Sequence, residues 1–152
     1  MQIETLKDVL DWTCQFHRYL ASCLNHCADD NESGRAAHLL EYLADHERKL
    51  AVAIDGLERQ ASTGTLNTWC YQYLDRRPIV RHDGCNKPFA EMNTEEISSE
   101  ILHQHRQVID LYDYLLSRAE TASTKELLAQ LLMLGKHEAI RMRQSPDRRE
   151  DI

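Results

Sequence analysis

Four polar residues interrupt otherwise apolar helical rows, and all four are of types that bind metal ions. Glu47 falls between Leu43 and Leu50, Glu138 between Leu134 and Arg141, and His105 between Ile101 and Val108, each at alternating spacings of four and three. His17 belongs to the row Ile3, Leu10, His17, Leu24, which is otherwise apolar. Side chains at such positions point into a core, where an ionisable group is costly unless it is paired, hydrogen-bonded or bound to an ion. Two neutral imidazoles and two carboxylates suit a divalent metal, because imidazole accommodates Zn and Fe and carboxylate also accommodates Mn. If iron sat there with an open position, oxygen or peroxide chemistry would follow; zinc closed in by its ligands would be a brace. The same residues also allow a buried ionic network, in which Glu47 pairs with a protonated His17 or His105 and Glu138 pairs with Arg141. Arg141 weighs toward the network, since a cation repels a metal ion, although so long a side chain can carry its charge out to solvent.

Four long helices must position these groups, with spans predicted at roughly 4–28, 32–61, 94–120 and 124–144. The first carries the seam Leu6, Val9, Thr13, Phe16, Leu20, Cys23, Cys27, and the second carries Ala36, Leu40, Leu43, Glu47, Leu50, Ile54, Leu57, Ala61. Between them, residues 29–34 supply a turn and several candidate N-caps, so the pair is an antiparallel hairpin. Asn93 followed by Glu96 resembles a capping box and opens the third seam, Ile101, His105, Val108, Tyr112, Leu115, Ala119. Ser123 with Glu126 forms another and opens the fourth, Leu127, Leu131, Leu134, Glu138, Arg141, which must stop before Pro146. Residues 62–93 lack helical periodicity and read as a long crossover, with Trp69, Tyr71 and Tyr73 pinning it to the bundle. In each hairpin, residues equally far from the turn face one another. His17 and Glu47 centre on residue 32, His105 and Glu138 between 121 and 122, so each pair shares a level near mid-helix. The halves also echo each other: His17-Arg18 and His46-Glu47, then His105-Arg106 and His137-Glu138.

At these positions the chain resembles the ferritin-like and rubrerythrin-like proteins, whose four-helix bundle holds two irons through one Glu on helices one and three and a Glu-x-x-His on helices two and four. The segment from Ala44 to Ala51 is similar to their second-helix motif with Glu47 in the Glu place and Leu50 where His is expected, and Lys136 to Arg141 sets Glu138 in the Glu place with Arg141 where His belongs. His105 stands in for the third-helix Glu and His17 for the first. The resemblance implies an all-α ferritin-like bundle of two antiparallel hairpins joined by a long crossover, binding divalent metal (Fe, Mn or Zn) through His17, Glu47, His105 and Glu138, with His46 and His137 as secondary candidates and redox or metal and stress handling as its task.

Composition sets the outer bounds. A chain of 152 residues fits a single domain spanning 1–152. Five Gly and three Pro leave room for long helices. The start, Met1 to Trp12, has neither a basic stretch nor an unbroken apolar run, so a cytoplasmic protein with reduced thiols is expected. Five cysteines, three of them on one predicted helix, argue against a disulfide framework; Cys23 and Cys27 with His26 between them are a minor candidate for soft ligation. A formal charge of −7 disfavours nucleic acid, and Arg141, Arg143, Arg148 and Arg149 are too few to reverse it. No stretch is predicted to span a membrane. His38, His82 and His103 are expected in solvent. The competing class is a non-catalytic helical protein acting by association, as a homodimer, with its polar core serving specificity.

Overall fold

Each long helix begins where a short polar side chain accepts from a backbone amide that has no partner within the helix. In the computed structural model, which describes residues 3–70 and 88–143, Thr5 caps α1 (Leu6–Asp30) in a reciprocal box with Asp8, and Ser33 caps α2 (Gly34–Gln60) by accepting from the Ala36 amide. A single turn, α3 (Thr63–Leu66), follows, capped by Ser62. Asn93 and Glu96 form the expected box ahead of α4 (Thr94–Arg118). The last helix, α5 (Ala122–Arg143), starts earlier than Ser123 and Glu126 predict. Thr121 supplies the cap, its Oγ1 accepting from the Thr124 amide at 3.3 Å, while the Ser123 hydroxyl is drawn into a 3.0 Å bond with Thr65. Tyr71, Tyr73, His82, Cys85, Pro146, Arg148 and Arg149 lie outside the described residues.

The apolar seams meet in one core to which all four long helices contribute, with Leu6, Leu10, Leu20, Leu40, Leu43, Ile54, Ile97, Leu111 and Leu131 all buried. Thr13 sits in the α1 seam as expected, fully buried, because its hydroxyl donates to the Leu10 carbonyl and accepts from Tyr112 at 2.9 Å. Among the described residues there is no strand beyond one isolated bridge between Thr5 and Trp69, and no helix is long and apolar enough to cross a membrane.

Contacts at the helix ends fix the directions. α1 and α2 are antiparallel, since Cys14 bonds the Ala51 carbonyl and Lys7 lies 3.5 Å from Glu58. Beyond α3 the chain is pinned beside the start of α1, where the Leu6 amide donates to Thr68 and the Cys70 amide to Glu4. Trp69 is 67% exposed, and the backbone bonds and buried Cys70 fasten the chain here. The far side of the connection surfaces at the opposite end: Asn31, just past α1, donates from Nδ2 to the carbonyls of Phe89 and Met92, both at 3.1 Å, on either side of a 3-10 turn at Phe89–Glu91. The chain therefore travels from one end of the bundle to the other between Cys70 and Pro88, and α4 runs parallel to α2. α5 then returns, its first turn bonded to Thr65 and Thr68. Four helices in this order bring the middles of α1, α2 and α4 face to face.

Candidate metal centre

Mid-helix, the three facing rows each place one ionisable group at the same level. Glu47 is fully buried between Leu43 and Leu50, His17 and His105 are each 2% exposed, and the ligand atoms of all three lie within 4.8 Å of one another. Glu47 joins the other two. Its Oε2 accepts from His17 Nδ1 at 2.7 Å and its Oε1 accepts from His105 Nε2, while the two imidazoles meet edge to face with centroids 5.3 Å apart. No other protein charge is needed to explain the burial, because the carboxylate has a donor on each oxygen.

The protonation states follow from opposed effects. Burial pushes the Glu47 carboxyl up, but the fields and hydrogen bonds of His105 and His17 together outweigh it and bring the group down to about 2. Burial also works against a charged His105, and there the adjacent Glu47 wins, raising the imidazole above its ordinary value. For His17 burial prevails over Glu47 and its value falls. Glu47 thus favours the charged form of His105, while burial favours the neutral form of His17.

Two imidazoles and a carboxylate facing one point are also a donor set for a first-row divalent ion. Donors at about 2.1 Å on opposite sides of an ion are about 4.2 Å apart. The three ligand atoms lie within 4.8 Å of one another, and His17 and Glu47 are 2.7 Å apart, so an ion would enter by replacing the hydrogen bonds and spreading Glu47 from the imidazoles. Three protein ligands leave coordination positions open, and beside them lies a cavity of about 10 Å³ bounded by His17, His105, Leu50, Val108, Ile109, Tyr112, Leu131 and Gly135. That is room for about one water molecule.

No protein-family model, curated protein or solved structure matches this chain.

Of the four residues expected to converge, the structure gathers His17, Glu47 and His105 and gives Glu138 other partners. Glu138 is buried on α5, where its Oε2 takes a 3.0 Å hydrogen bond from His46 Nδ1 and its Oε1 lies 3.6 Å from Arg141 Nη1. Arg141 extends outward, its side chain 63% exposed. His46, half-buried, packs its ring on Tyr42 at 4.5 Å. His137 is exposed, as are His38 and His103. Cys14, Cys23, Cys27 and Cys70 are free thiols; burial, then the neighbouring Cys27, pushes the Cys23 thiol up to about 11, away from the thiolate that ligation requires. The pairing of His46 with Glu138 is the feature that sequence spacing missed. Its one visible signal is the repeated His-Glu dipeptide, which marks both helices but not which histidine turns inward.

Proposed function

We propose that this chain is a metal-binding helical bundle that holds one divalent ion, Fe, Mn or Zn, through His17, Glu47 and His105. The observation that carries the reading is the convergence of two imidazole nitrogens and a carboxylate oxygen, all within 4.8 Å of one another and buried, beside a water-sized cavity. One ion is favoured over a pair because Glu47 is the only carboxylate within the cluster and Glu138 is engaged by His46 and Arg141. The helix order, with a single end-to-end connection between two antiparallel hairpins, supports a ferritin-like arrangement. Open coordination positions make redox chemistry with a small oxidant the natural activity if the ion is iron. A cytoplasmic setting with reduced thiols fits this use.

Elemental analysis of untagged protein, purified without chelator, tests the proposal beside a Glu47→Ala variant checked for helicity by circular dichroism. About one Fe, Mn or Zn per chain in the parent, lost in the folded variant, is the expected result. A parent free of metal that also resists loading would falsify it. The second reading, a structural ionic network in a non-catalytic homodimer, draws on one specific observation: Glu47 already has an imidazole nitrogen bonded to each of its oxygens. Metal-free protein that sediments as a dimer would favour that reading.

A further inference from the structure

A triad this deeply buried has to be reached through the protein, and α5 carries a further buried carboxylate, Glu138, whose partner Arg141 is exposed. Gly135 lines the cavity bounded by His17 and His105. Glu138 follows three residues later on the same face, about 4.5 Å farther along the axis. Its field reaches both imidazoles of the triad. On its outer side the carboxylate is held loosely: the 3.6 Å approach of Arg141 is longer than a hydrogen bond, and the guanidinium belongs to a mostly exposed arm one turn away. Only the Arg141 side of the pair is exposed, at 63% against 10% for Glu138, so the long cationic arm can swing into solvent while the carboxylate stays in place. His46, bonded to the other oxygen, offers an imidazole at the same place. A buried carboxylate, a half-buried imidazole and an exposed cation are thus grouped on the Gly135 side of the triad, and the triad uses none of them.

We propose that Glu138 is the port for the metal: a divalent cation first binds Glu138 and His46, displacing Arg141 into solvent, and then passes Gly135 to reach His17, Glu47 and His105. Arg141 neutralises the port when no ion is present. This rests on the metal reading of the triad, and the experiment separates the two.

The full chain, freed of metal by dialysis against a chelator, is mixed with Co²⁺ and its visible ligand-field absorption followed by stopped flow. The parent takes up one Co²⁺ per chain. Glu138→Gln, which keeps the shape and the bond to His46 without the charge, reaches the same stoichiometry at least about tenfold more slowly; Arg141→Gln loads several-fold faster. Loading of Glu138→Gln at the parent's rate overturns the port and leaves the triad standing. A lower final stoichiometry in that variant, with its fold intact, overturns it too, by making Glu138 a ligand. Should Glu138→Gln not fold, Arg141→Gln decides, since its exposed site tolerates the change: loading no faster than the parent overturns the port. A parent that takes up no Co²⁺ overturns port and metal reading together.

Discussion

A single carboxylate carries most of the consequences at the level of residues. Glu47 is ionised between two imidazoles, and its value of about 2 lies below the 4.5 it has when free. A depressed folded value means a contribution to stability that is fully present above about pH 4.5 and lost as pH falls from there toward 2. The histidines have opposite signs: His105, raised, contributes below 6.5 and loses that contribution as pH rises through its folded value, whereas His17, lowered, costs stability as pH falls through 6.5. Below 6.5 the contribution of His105 is constant while the cost of His17 grows, so the acid limb combines His17 with Glu47, and the share that sets in below about 4.5 is that of Glu47. In metal-free protein, Glu47→Gln should lower the unfolding free energy at pH 6 by on the order of 3 kcal/mol, the scale for breaking a buried pair by removing one partner. It should also flatten the fall in urea midpoint between pH 5 and 3; a parallel acid limb in both proteins would place the titrating group elsewhere. Tyr112 sets a contrast. Its hydroxyl donates only to Thr13, which keeps its own bond to Leu10, so Tyr112→Phe should cost about 1 kcal/mol and leave metal content unchanged.

Within the helices, two glycines test whether a missing side chain is a defect or a space kept open. In α2, a Cβ on Gly56 would meet nothing within 4 Å, so Gly56→Ala gains helix propensity alone and should raise stability by about 1 kcal/mol in thermal or urea unfolding. In α5, a Cβ on Gly135 would stand 3.3 Å from Ile109 Cγ1, close enough that the isoleucine must give way. Ile109 borders the same small cavity and has that space to yield into. Strain and propensity then roughly cancel: Gly135→Ala should change stability by less than about 1 kcal/mol while reducing the room beside His17 and His105. A loss of several kcal/mol would show that the cavity cannot absorb the shift. The helices themselves were legible in the sequence, because the seams of three and four alternate cleanly and Glu47, His17 and His105 interrupt them at positions that are buried. The partner of Glu138 was not. His46 is one residue from Glu47 and so about 100° around α2, on a flank that looks solvent-facing until α5 packs there. The start of α5 was misread for a related reason: Ser123 with Glu126 looks like a capping box, but the Ser123 hydroxyl bonds Thr65 across the bundle end and Thr121 supplies the cap.

Across the whole molecule, the order of helices depends on where the long connection is fastened, and sequence periodicity says nothing about a segment that has none. Two attachments at opposite ends do the fastening. Near the start of α1, Thr68 and Cys70 extend the backbone pairing with Leu6 and Glu4, which needs no particular side chain. At the other end one side-chain amide holds two carbonyls, those of Phe89 and Met92, immediately before the cap of α4. Phe89 is fully buried there, so its carbonyl has little access to replacement water once Asn31 is gone. Asn31→Ala removes both bonds together with the one its Oδ1 accepts from the Ser33 amide at 2.9 Å, and should cost about 3 kcal/mol globally, at about 1 kcal/mol per bond. The global figure is the lesser test. If Asn31 anchors the point at which the crossing chain rejoins the bundle, amide exchange in the variant should accelerate first at Met92 to Ile97, with the middle of α4 around His105 still protected and metal content intact. Uniform acceleration along α4 would mean instead that the capping box of Asn93 and Glu96 and the burial of Ile97 and Ile101 hold the helix start without help, leaving the amide of Asn31 no part in setting the direction of the second hairpin.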